Sequence, residues 1–277
     1  MKKVLVLGSS GQLGRELSDL LNEQQIEFDA PSSKEMDVTD QNRVMRYFKD
    51  HQPEVVFDCV GYTNIASAEK EPGKTINQNV NFLGTQYVAL AARDVNATLV
   101  HISTNRVFDG NDNSEPHKTT DIPNPISEYS KQKRMAERAI EEISTKYYTI
   151  RTTKLFGKYD TNFTNMLLTP ADENGLRHVS NEQLNNITWT RTLAEFMLYV
   201  IENELPFGMY HLSNQGLTNS YKVFQKIQKN SSIDVTPTNP RNDTVIEWPI
   251  LDLSKVNDTD FKNLTWDEAI AQLLNTL

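Results

Sequence analysis

The sequence is poor in the residues that build disulfides, metal–thiolate clusters and membrane spans. Its 277 residues include a single cysteine, Cys59, which excludes an internal disulfide and a metal cluster built on several thiolates. No apolar run approaches the length that spans a bilayer, and the run from Val4 to Leu7 is too short for the core of a signal peptide. We therefore expect a protein of the reducing cytoplasm with no membrane partner.

Positive charge is also in short supply. Lysine and arginine together number 28 against 37 acidic residues, so the net charge is −9. A field of this sign does not attract nucleic acid or an anionic membrane, and we expect neither as a main partner. An anionic ligand would need local positive groups. With 38% hydrophobic residues, the chain is long enough to bury the core of one large or two moderate domains.

Short apolar runs alternate with amphipathic segments through the first half of the chain. The predicted strands cover residues 4 to 7, 26 to 30, 55 to 58, 98 to 103 and 147 to 151. The predicted helices between them lie near residues 12 to 23, 41 to 51, 76 to 94 and 128 to 144. Strict alternation of this kind predicts an α/β fold, a Rossmann-type doubly wound parallel sheet with helices on both faces.

After about residue 152 the pattern becomes more irregular and richer in asparagine. Candidate helices cover residues 162 to 168, 189 to 203, 219 to 229 and 265 to 275, and Thr265 with Glu268 predicts a capping box for the last. The stretch from 230 to 243 shows the least regular pattern. We predict a dinucleotide-binding domain over 1–152, to which part of 184–210 returns, and a smaller C-terminal α/β substrate domain over 153–277.

A glycine-rich loop follows the first predicted strand and opens the first helix. Its glycines permit a tight turn and a close approach of backbone to ligand, and the helix N-terminus directs amide groups at a pyrophosphate. A plain strand-to-helix turn is the alternative interpretation, which the position directly after the first strand disfavours. The predicted cofactor-binding residues of this loop are Gly8, Gly11, Gln12, Leu13 and Gly14.

The end of the second strand bears on the choice of dinucleotide. Ser33 and Lys34 supply a hydroxyl and a cation where a carboxylate would exclude a 2′-phosphate, which favours NADP(H). The nearby Asp29 leaves NAD(H) open. Asp37 and Val38, just before the second helix, are candidates to cover the adenine, and a simple helix-entry role for Asp37 is an equal alternative.

Tyr129 and Lys133 are spaced four residues apart on a predicted helix, so they share one face. An ammonium beneath the phenol would favour the phenolate and lower the tyrosine pKa, which makes the pair a candidate proton donor to a carbonyl. Such a pair can arise by chance on a solvated helix face. Thr104, at the end of the preceding strand, supports the functional interpretation.

These motifs together resemble the extended short-chain dehydrogenase/reductases, and more narrowly the dTDP-4-dehydrorhamnose reductase family. The resemblance covers roughly residues 1 to 225. It rests on residues 8 to 17 (GSSGQLGREL), 37 to 40, Tyr62-Thr63 with Glu69, Ser103-Thr104 with 107 to 110, 129 to 137, 150 to 152, Asn162-Phe163, 188 to 194 and 210 to 213.

The resemblance implies a set of residue roles. Tyr129 would protonate the C4 oxygen of a nucleotide-linked keto sugar while nicotinamide delivers hydride to C4. Thr104 would hydrogen-bond the same oxygen, Lys133 would bind ribose and lower the tyrosine pKa, and Asn81 would support the proton path. The cofactor would also be lined by the residues after the third strand, Cys59, Val60, Gly61 and Tyr62.

Several positions depart from the family pattern, mostly where the sugar should bind. Asn105 and Arg106 replace an aspartate and a tyrosine, Ala66 replaces an aspartate, and Lys154 replaces an aromatic residue. We take Asn105, Arg106 and Lys154 as candidate substrate-binding residues of an altered pocket. The family's Arg-Pro-x-x-Ser segment is replaced by residues 247 to 251 (EWPIL).

The sequence is also compatible with two other functions. A dinucleotide-binding paralogue without turnover, with a regulatory or scaffold role, would explain the altered pocket, and the regulatory subunit of methionine adenosyltransferase resembles the same family. An epimerase or dehydratase would need further acid and base groups that the sequence does not place.

Magnesium and subunit contacts follow from the same resemblance. Some relatives join subunits through magnesium held by glutamates, and Glu16 matches one such position. Arg191 stands where another glutamate would be needed, and a cation there would repel the metal. We expect no metal site and a monomer or weak dimer.

Overall fold

The computed structural model describes residues 3–110, 115–160, 176–179, 183–228, 234–237, 245–246 and 249–276. In chain order the strands are β1 Val4–Leu7, β2 Phe28–Asp29, β3 Val55–Asp58, β4 Thr98–Thr104, β5 Tyr147–Thr152, β6 Lys154–Phe156, β7 Leu176–Val179, β8 Gln183–Leu184, β9 Ile187–Trp189, β10 Gly208–Leu212, β11 Asp234–Pro237 and β12 Val245–Ile246. Six of them form one parallel sheet in the order β10-β5-β4-β3-β1-β2.

Ten α-helices lie in the described part of the chain. They are α1 Gln12–Glu23, α2 Gln41–His51, α3 Ile65–Ala68, α4 Gly73–Asn77, α5 Thr85–Asp94, α6 Glu128–Ile143, α7 Thr190–Glu202, α8 Ser220–Gln228, α9 Ser254–Asn257 and α10 Trp266–Leu274. A π-helical segment, Gln78–Gly84, joins α4 to α5, and a short 3₁₀ turn, Asn105–Val107, follows β4. Among the described residues, no helix is both long and apolar enough to span a bilayer.

The central sheet is covered on both faces, as its apolar strands require. Alternate residues of β1 enter different cores: Val4 and Val6 pack on one side, Leu5 and Leu7 on the other. The first side is completed by α1 and α7, and the second by α2 and α5. The predicted Rossmann-type doubly wound α/β fold is confirmed.

The strand order fixes where a ligand can lie. The chain passes from β1 to β2 at one side and then returns to β3 on the other side of β1. The segments that leave β1 and β3 therefore diverge at their carboxyl ends, and a crevice opens there.

Several predicted boundaries agree with the structure and others differ. Strands β1 and β3 and helices α1 and α2 have the predicted bounds, and Thr265 and Glu268 form the predicted capping box of α10. The second strand is only two residues long, and the helix expected over 76–94 begins at Gly73 and contains the π-helical segment.

The second half holds short strands where irregular sequence was expected. They form two-stranded parallel ladders β6-β9, β7-β11 and β8-β12, each too short to show a clear periodic pattern. The helix predicted over 162–168 lies outside the described residues, as does most of 230–243. Strand β10 pairs with β5 at the sheet edge and α7 packs against α1. The division at residue 152 stays a prediction.

Candidate active site

The glycine-rich loop after β1 packs tightly against the backbone of its neighbours. Gly8 has a φ of +73°, and a Cβ there would lie 2.8 Å from the carbonyl carbon of Cys59. A Cβ on Gly14 would lie 2.2 Å from the Gly8 carbonyl oxygen. These two positions require glycine, which keeps the start of α1 against the loop.

The loop also leaves polar groups without partners. Gly11 precedes the first turn of α1 and offers no side chain to cap its amides. Among the described residues, the buried Gln12 Oε1 has no hydrogen-bond partner. Free amides at a helix N-terminus and an unpaired amide oxygen suit a phosphate-containing ligand with hydroxyl groups. Both features fit the predicted dinucleotide.

Ser33 and Lys34, which follow β2, are exposed, so their side chains are accessible to the predicted cofactor. Arg43 Nη1 donates to the Lys34 carbonyl at 3.0 Å, so a second cation lies beside this turn. Arg43 was not predicted from the sequence, because only the packing of α2 against this turn brings its side chain there.

The two residues before α2 have different environments. Asp37 Oδ1 accepts from the Thr39 amide and hydroxyl at 2.9 and 2.8 Å, so the carboxylate holds the entry to α2, the simpler of the two roles considered. Val38 is buried, and a Cβ on Gly84 would lie 3.0 Å from its Cγ2.

The segment after β3 is held by a chain of amide groups. Asn81 Oδ1 accepts from the Tyr62 amide at 2.9 Å, and its Nδ2 donates to the Tyr62 carbonyl at 2.8 Å and to Asn77 Oδ1 at 2.7 Å. Asn77 Nδ2 donates in turn to the Glu128 carbonyl at 3.0 Å. Asn81 thus ties the predicted cofactor segment, which includes Cys59, Val60 and Gly61, to the start of α6. Its predicted role in the proton path stays a prediction.

Thr104 and Tyr129 meet at the carboxyl end of β4. The Thr104 Oγ1 atom accepts from the Arg106 amide at 3.2 Å, and the half-buried Tyr129 phenol lies close enough to the Thr104 hydroxyl for the two groups to interact. Burial raises the pKa of Tyr129 above its usual value, while the Thr104 hydroxyl and the Arg106 charge act in the opposite direction. The expectation of a lowered tyrosine pKa is therefore wrong, since burial outweighs the favourable contacts.

Lys133 is buried and points into the sheet. Its Nζ donates to the Ile102 carbonyl at 2.7 Å and lies 3.0 Å from His101 Nε2. His101 Nδ1 lies 2.7 Å from Asp58 Oδ2, and the Asp58 and His101 side chains are 2% and 0% exposed. Burial lowers the pKa of Lys133 to about 8, against the charges of Asp58 and Glu137.

Neither Asp58 nor His101 was predicted from the sequence to be a functional residue. The available signal was their polarity: each lies in a strand whose neighbours are apolar, where a charged or imidazole side chain needs a buried partner.

One turn beyond Lys133, Glu137 is the centre of a second buried cluster. Its carboxylate accepts two bonds from Arg151, both 2.8 Å long, one from the Ser103 hydroxyl at 2.6 Å and one from Arg134 at 2.9 Å. Burial alone would raise the pKa of Glu137, but these bonds outweigh it and the pKa is lowered. The cluster joins β4, β5 and α6 directly beside Thr104.

The candidate substrate residues lie in different surroundings. Asn105 Nδ2 donates to the Pro249 carbonyl at 2.9 Å, which ties the 3₁₀ turn to the C-terminal region. Arg106 is exposed beside Tyr129, Lys154 is exposed on β6 and Ala66 is exposed on α3. Residues 247 and 248 lie outside the described part of the chain.

Glu16 and Arg191 are engaged with other side chains. Glu16 Oε2 accepts from the Thr190 hydroxyl at 3.1 Å, and burial raises its pKa. Arg191 forms two bonds with Glu23, at 2.6 and 3.0 Å, and one with Glu195 at 2.9 Å. Within the described ranges, no group of three or more histidine, cysteine or carboxylate side chains is arranged to hold a metal ion.

Comparison with known proteins agrees with this geometry. The family described as RmlD substrate binding domain matches residues 1–277. The spore coat polysaccharide biosynthesis protein SpsK of Bacillus subtilis is 31% identical over 99% of this chain and 97% of its own. The dTDP-4-dehydrorhamnose reductase of Aggregatibacter actinomycetemcomitans is 29% identical over 99% and 98%. The crystal structure of the Bacillus anthracis dTDP-4-dehydrorhamnose reductase in complex with NADP has a TM-score of 0.87 at 27% identity, covering 100% and 99%.

Proposed function

The chain belongs to the RmlD substrate binding domain family, and we propose that it is an NADP-dependent oxidoreductase that reduces the C4 keto group of a nucleotide-linked 6-deoxysugar. The observation that carries the proposal is the contact between Thr104 and Tyr129 at the carboxyl end of β4. Relatives named dTDP-4-dehydrorhamnose reductase support the substrate class. The product would serve the synthesis of dTDP-rhamnose and cell-surface polysaccharide.

The Tyr129 phenol is the proton donor in this mechanism. Its raised pKa keeps it protonated at neutral pH, so it can donate to the keto oxygen as negative charge develops there. The Thr104 hydroxyl is oriented by the Arg106 amide and can donate to the same oxygen. Lys133 lies one turn from Tyr129 on α6, and we expect its buried ammonium to favour the phenolate that proton transfer leaves. When bound, the nicotinamide supplies the hydride.

The cofactor would be held at the crevice between β1 and β3. Amides at the start of α1 would bind its pyrophosphate, and Lys34 and Arg43 offer positive charge at the end of β2 for a 2′-phosphate, so we favour NADP(H). Residues 153–277 would form the smaller substrate domain, and Asn105 and Arg106 would contribute to the sugar site from the first domain. We expect a cytoplasmic enzyme, monomeric or weakly dimeric, and its solution mass with and without a chelator tests the oligomeric state.

A binding protein without turnover is the second candidate. It is favoured by Ala66, Arg106 and Lys154, which alter the predicted sugar site without touching the catalytic set. Retention of Thr104, Tyr129 and Lys133 argues against it, because a protein that only binds the dinucleotide needs no proton donor.

The deciding experiment is a spectrophotometric assay of NADPH oxidation with dTDP-4-keto-6-deoxysugars, run beside UDP- and GDP-linked analogues. We expect oxidation with at least one sugar and a loss of about 10²- to 10⁴-fold in rate for Tyr129→Phe, because the proton donor is removed. Tyr221→Phe is the control, since its hydroxyl contacts only the exposed Gln225 in the described structure and should not change the rate.

A Tyr129→Phe variant as fast as the wild type would refute the proposed proton donor. NADPH binding by fluorescence, with no oxidation for any of the sugars, would instead establish the binding protein.

A further inference from the structure

A continuous line of buried hydrogen bonds runs from the loop after β3 to the ammonium of Lys133. Asp58 uses both carboxylate oxygens: Oδ1 accepts from the Val60 amide at 3.2 Å, and Oδ2 pairs with His101 Nδ1 at 2.7 Å. The opposite ring nitrogen, His101 Nε2, lies 3.0 Å from Lys133 Nζ. The three side chains come from β3, β4 and α6, and all are buried.

We propose that Asp58 and His101 are positioning residues that act through Lys133. The Asp58 carboxylate fixes the His101 ring in one tautomer, and the ring holds the Lys133 ammonium at the Ile102 carbonyl. The catalytic consequence rests on the proposed function, whereas the arrangement itself does not. Asp58 also binds the Val60 amide, so one carboxylate orders both the predicted cofactor segment and the lysine.

The tautomer follows from the partners of the ring. A carboxylate accepts hydrogen bonds and an ammonium only donates them, so Nδ1 must carry the hydrogen and Nε2 must accept. Burial and the neighbouring Lys133 charge lower the pKa of His101, which keeps the ring neutral. A protonated ring would place a donor against the ammonium. The line therefore works only with a neutral histidine.

Besides fixing the His101 ring, Asp58 favours the charged form of Lys133. Among the described residues, the titratable groups that act on the Lys133 ammonium are Asp58 from β3, His101 from β4 and Glu137 from its own helix. The ring is neutral and Glu137 is bound to two arginines and Ser103, which leaves Asp58 as the anion at the end of this line. Without its charge, the buried ammonium would lose its proton more readily.

The first test needs no substrate. In protein labelled with ¹⁵N-histidine, the His101 resonances, assigned with a His101→Gln variant, should show a neutral Nδ1–H ring from about pH 6 to about pH 9. They should also respond to the deprotonation of Lys133 near pH 8. We expect Asp58→Asn, followed on the same resonances, to lower that midpoint by roughly one pH unit. The control Asp50→Asn removes the same charge from the exposed end of α2 and should leave it unchanged.

The second test separates the bond from the charge. His101→Phe removes the acceptor for the ammonium, and we expect NADPH affinity and turnover each to fall about tenfold, the equivalent of one hydrogen bond to a charged group. His101→Gln can return an amide oxygen near the position of Nε2 and should recover most of both. Rescue by glutamine is not expected if His101 only fills space.

The outcomes distinguish this proposal from the proposed function. A His101 ring that titrates like an exposed histidine, or an unchanged Lys133 midpoint in Asp58→Asn, overturns the positioning role even if Tyr129→Phe abolishes reduction. If no sugar is reduced, the proposed reductase activity is refuted. The histidine resonances still test whether Asp58 and His101 position Lys133.

Discussion

Two buried ionisable groups, Lys133 and Glu137, lie four residues apart on α6, and their surroundings act on their charged forms in opposite ways: the partners of Glu137 stabilise its charge, whereas burial destabilises that of Lys133. Glu137 is surrounded by two arginines and a hydroxyl, which hold its pKa below the usual range. Lys133 is held by a neutral ring and a carbonyl, and its pKa falls to about 8. The same helix therefore carries a carboxylate that stays charged, Glu137, and an ammonium whose pKa is close to neutral pH, Lys133.

The difference shows what each group can do. A carboxylate that keeps its charge at every physiological pH can only hold elements together, here β4, β5 and α6. An ammonium whose pKa is about 8 can gain or lose its proton close to neutral pH, as the role proposed for Lys133 in the proton transfer from Tyr129 requires. Distinct effects of substituting each site would confirm this division, and matching effects would contradict it.

The largest effect is expected for Glu137→Gln. Loss of the carboxylate leaves Arg151, which is 2% exposed, without its counter-charge, and we expect the free energy of unfolding to fall by about 3 to 5 kcal/mol. Urea denaturation measures it. Because the folded pKa of Glu137 is lowered, its contribution is present above the usual glutamate value and disappears as pH falls through the folded value. The two proteins should therefore converge in acid.

Glu141→Gln is the matched control for that variant. Glu141 binds the same Arg134 at 3.3 Å but is 38% exposed, so we expect a change below about 0.5 kcal/mol. Equal losses from the two variants would show that the buried cluster has no special structural role.

Ser103→Ala should have an intermediate effect. It removes one donor from the Glu137 carboxylate, and a hydrogen bond to a buried charge contributes about 1.5 to 3 kcal/mol to stability. Ser18→Ala removes a hydroxyl that donates to the neutral Gly14 carbonyl within α1, where alanine also favours the helix, and should be nearly neutral. Thermal or urea unfolding compares the stabilities of the two variants. A Ser103→Ala variant as stable as Ser18→Ala would contradict the stabilising role of the Ser103–Glu137 hydrogen bond.

The smallest effect concerns pH. Lys133 is charged below pH 8 and Tyr129 stays protonated beyond that value, so the reduction rate should be level up to about pH 8. Above it, we expect roughly a tenfold fall for each pH unit as the ammonium is lost. A profile of kcat/KM against pH, with folding followed by circular dichroism, measures this. A rate that stays level to about pH 10 would show that the Lys133 charge is not needed.

Much of the fold could be predicted because its signals are local. The strands Val4–Leu7 and Val55–Asp58 are short apolar runs between turns, and α1 and α2 have clear amphipathic patterns. The π-helical segment was not predicted. It is too short for its extra residue per turn to shift the apolar pattern visibly from that of an ordinary helix.

The candidate site likewise has features that local sequence signals predict and features that they do not. Spacing placed Tyr129 and Lys133 on one helix face, and strand order brought Thr104 to them. The pKa of Tyr129 could not be predicted, because it depends on burial by residues from other parts of the chain. The same is true of His101, whose partners Asp58 and Lys133 are 43 and 32 residues away in the sequence.

The altered positions Ala66, Arg106 and Lys154 are all exposed, whereas Asn81, Thr104 and Lys133 are buried and hydrogen-bonded. Exposed substitutions usually change stability by less than about 0.5 kcal/mol, so replacements at these three positions carry little risk to folding. Under the proposed function, mutation at these three positions can therefore change the sugar site while the proposed proton donor and its supports stay fixed. In evolutionary terms, the architecture separates the residues that are free to vary from those that must be inherited together.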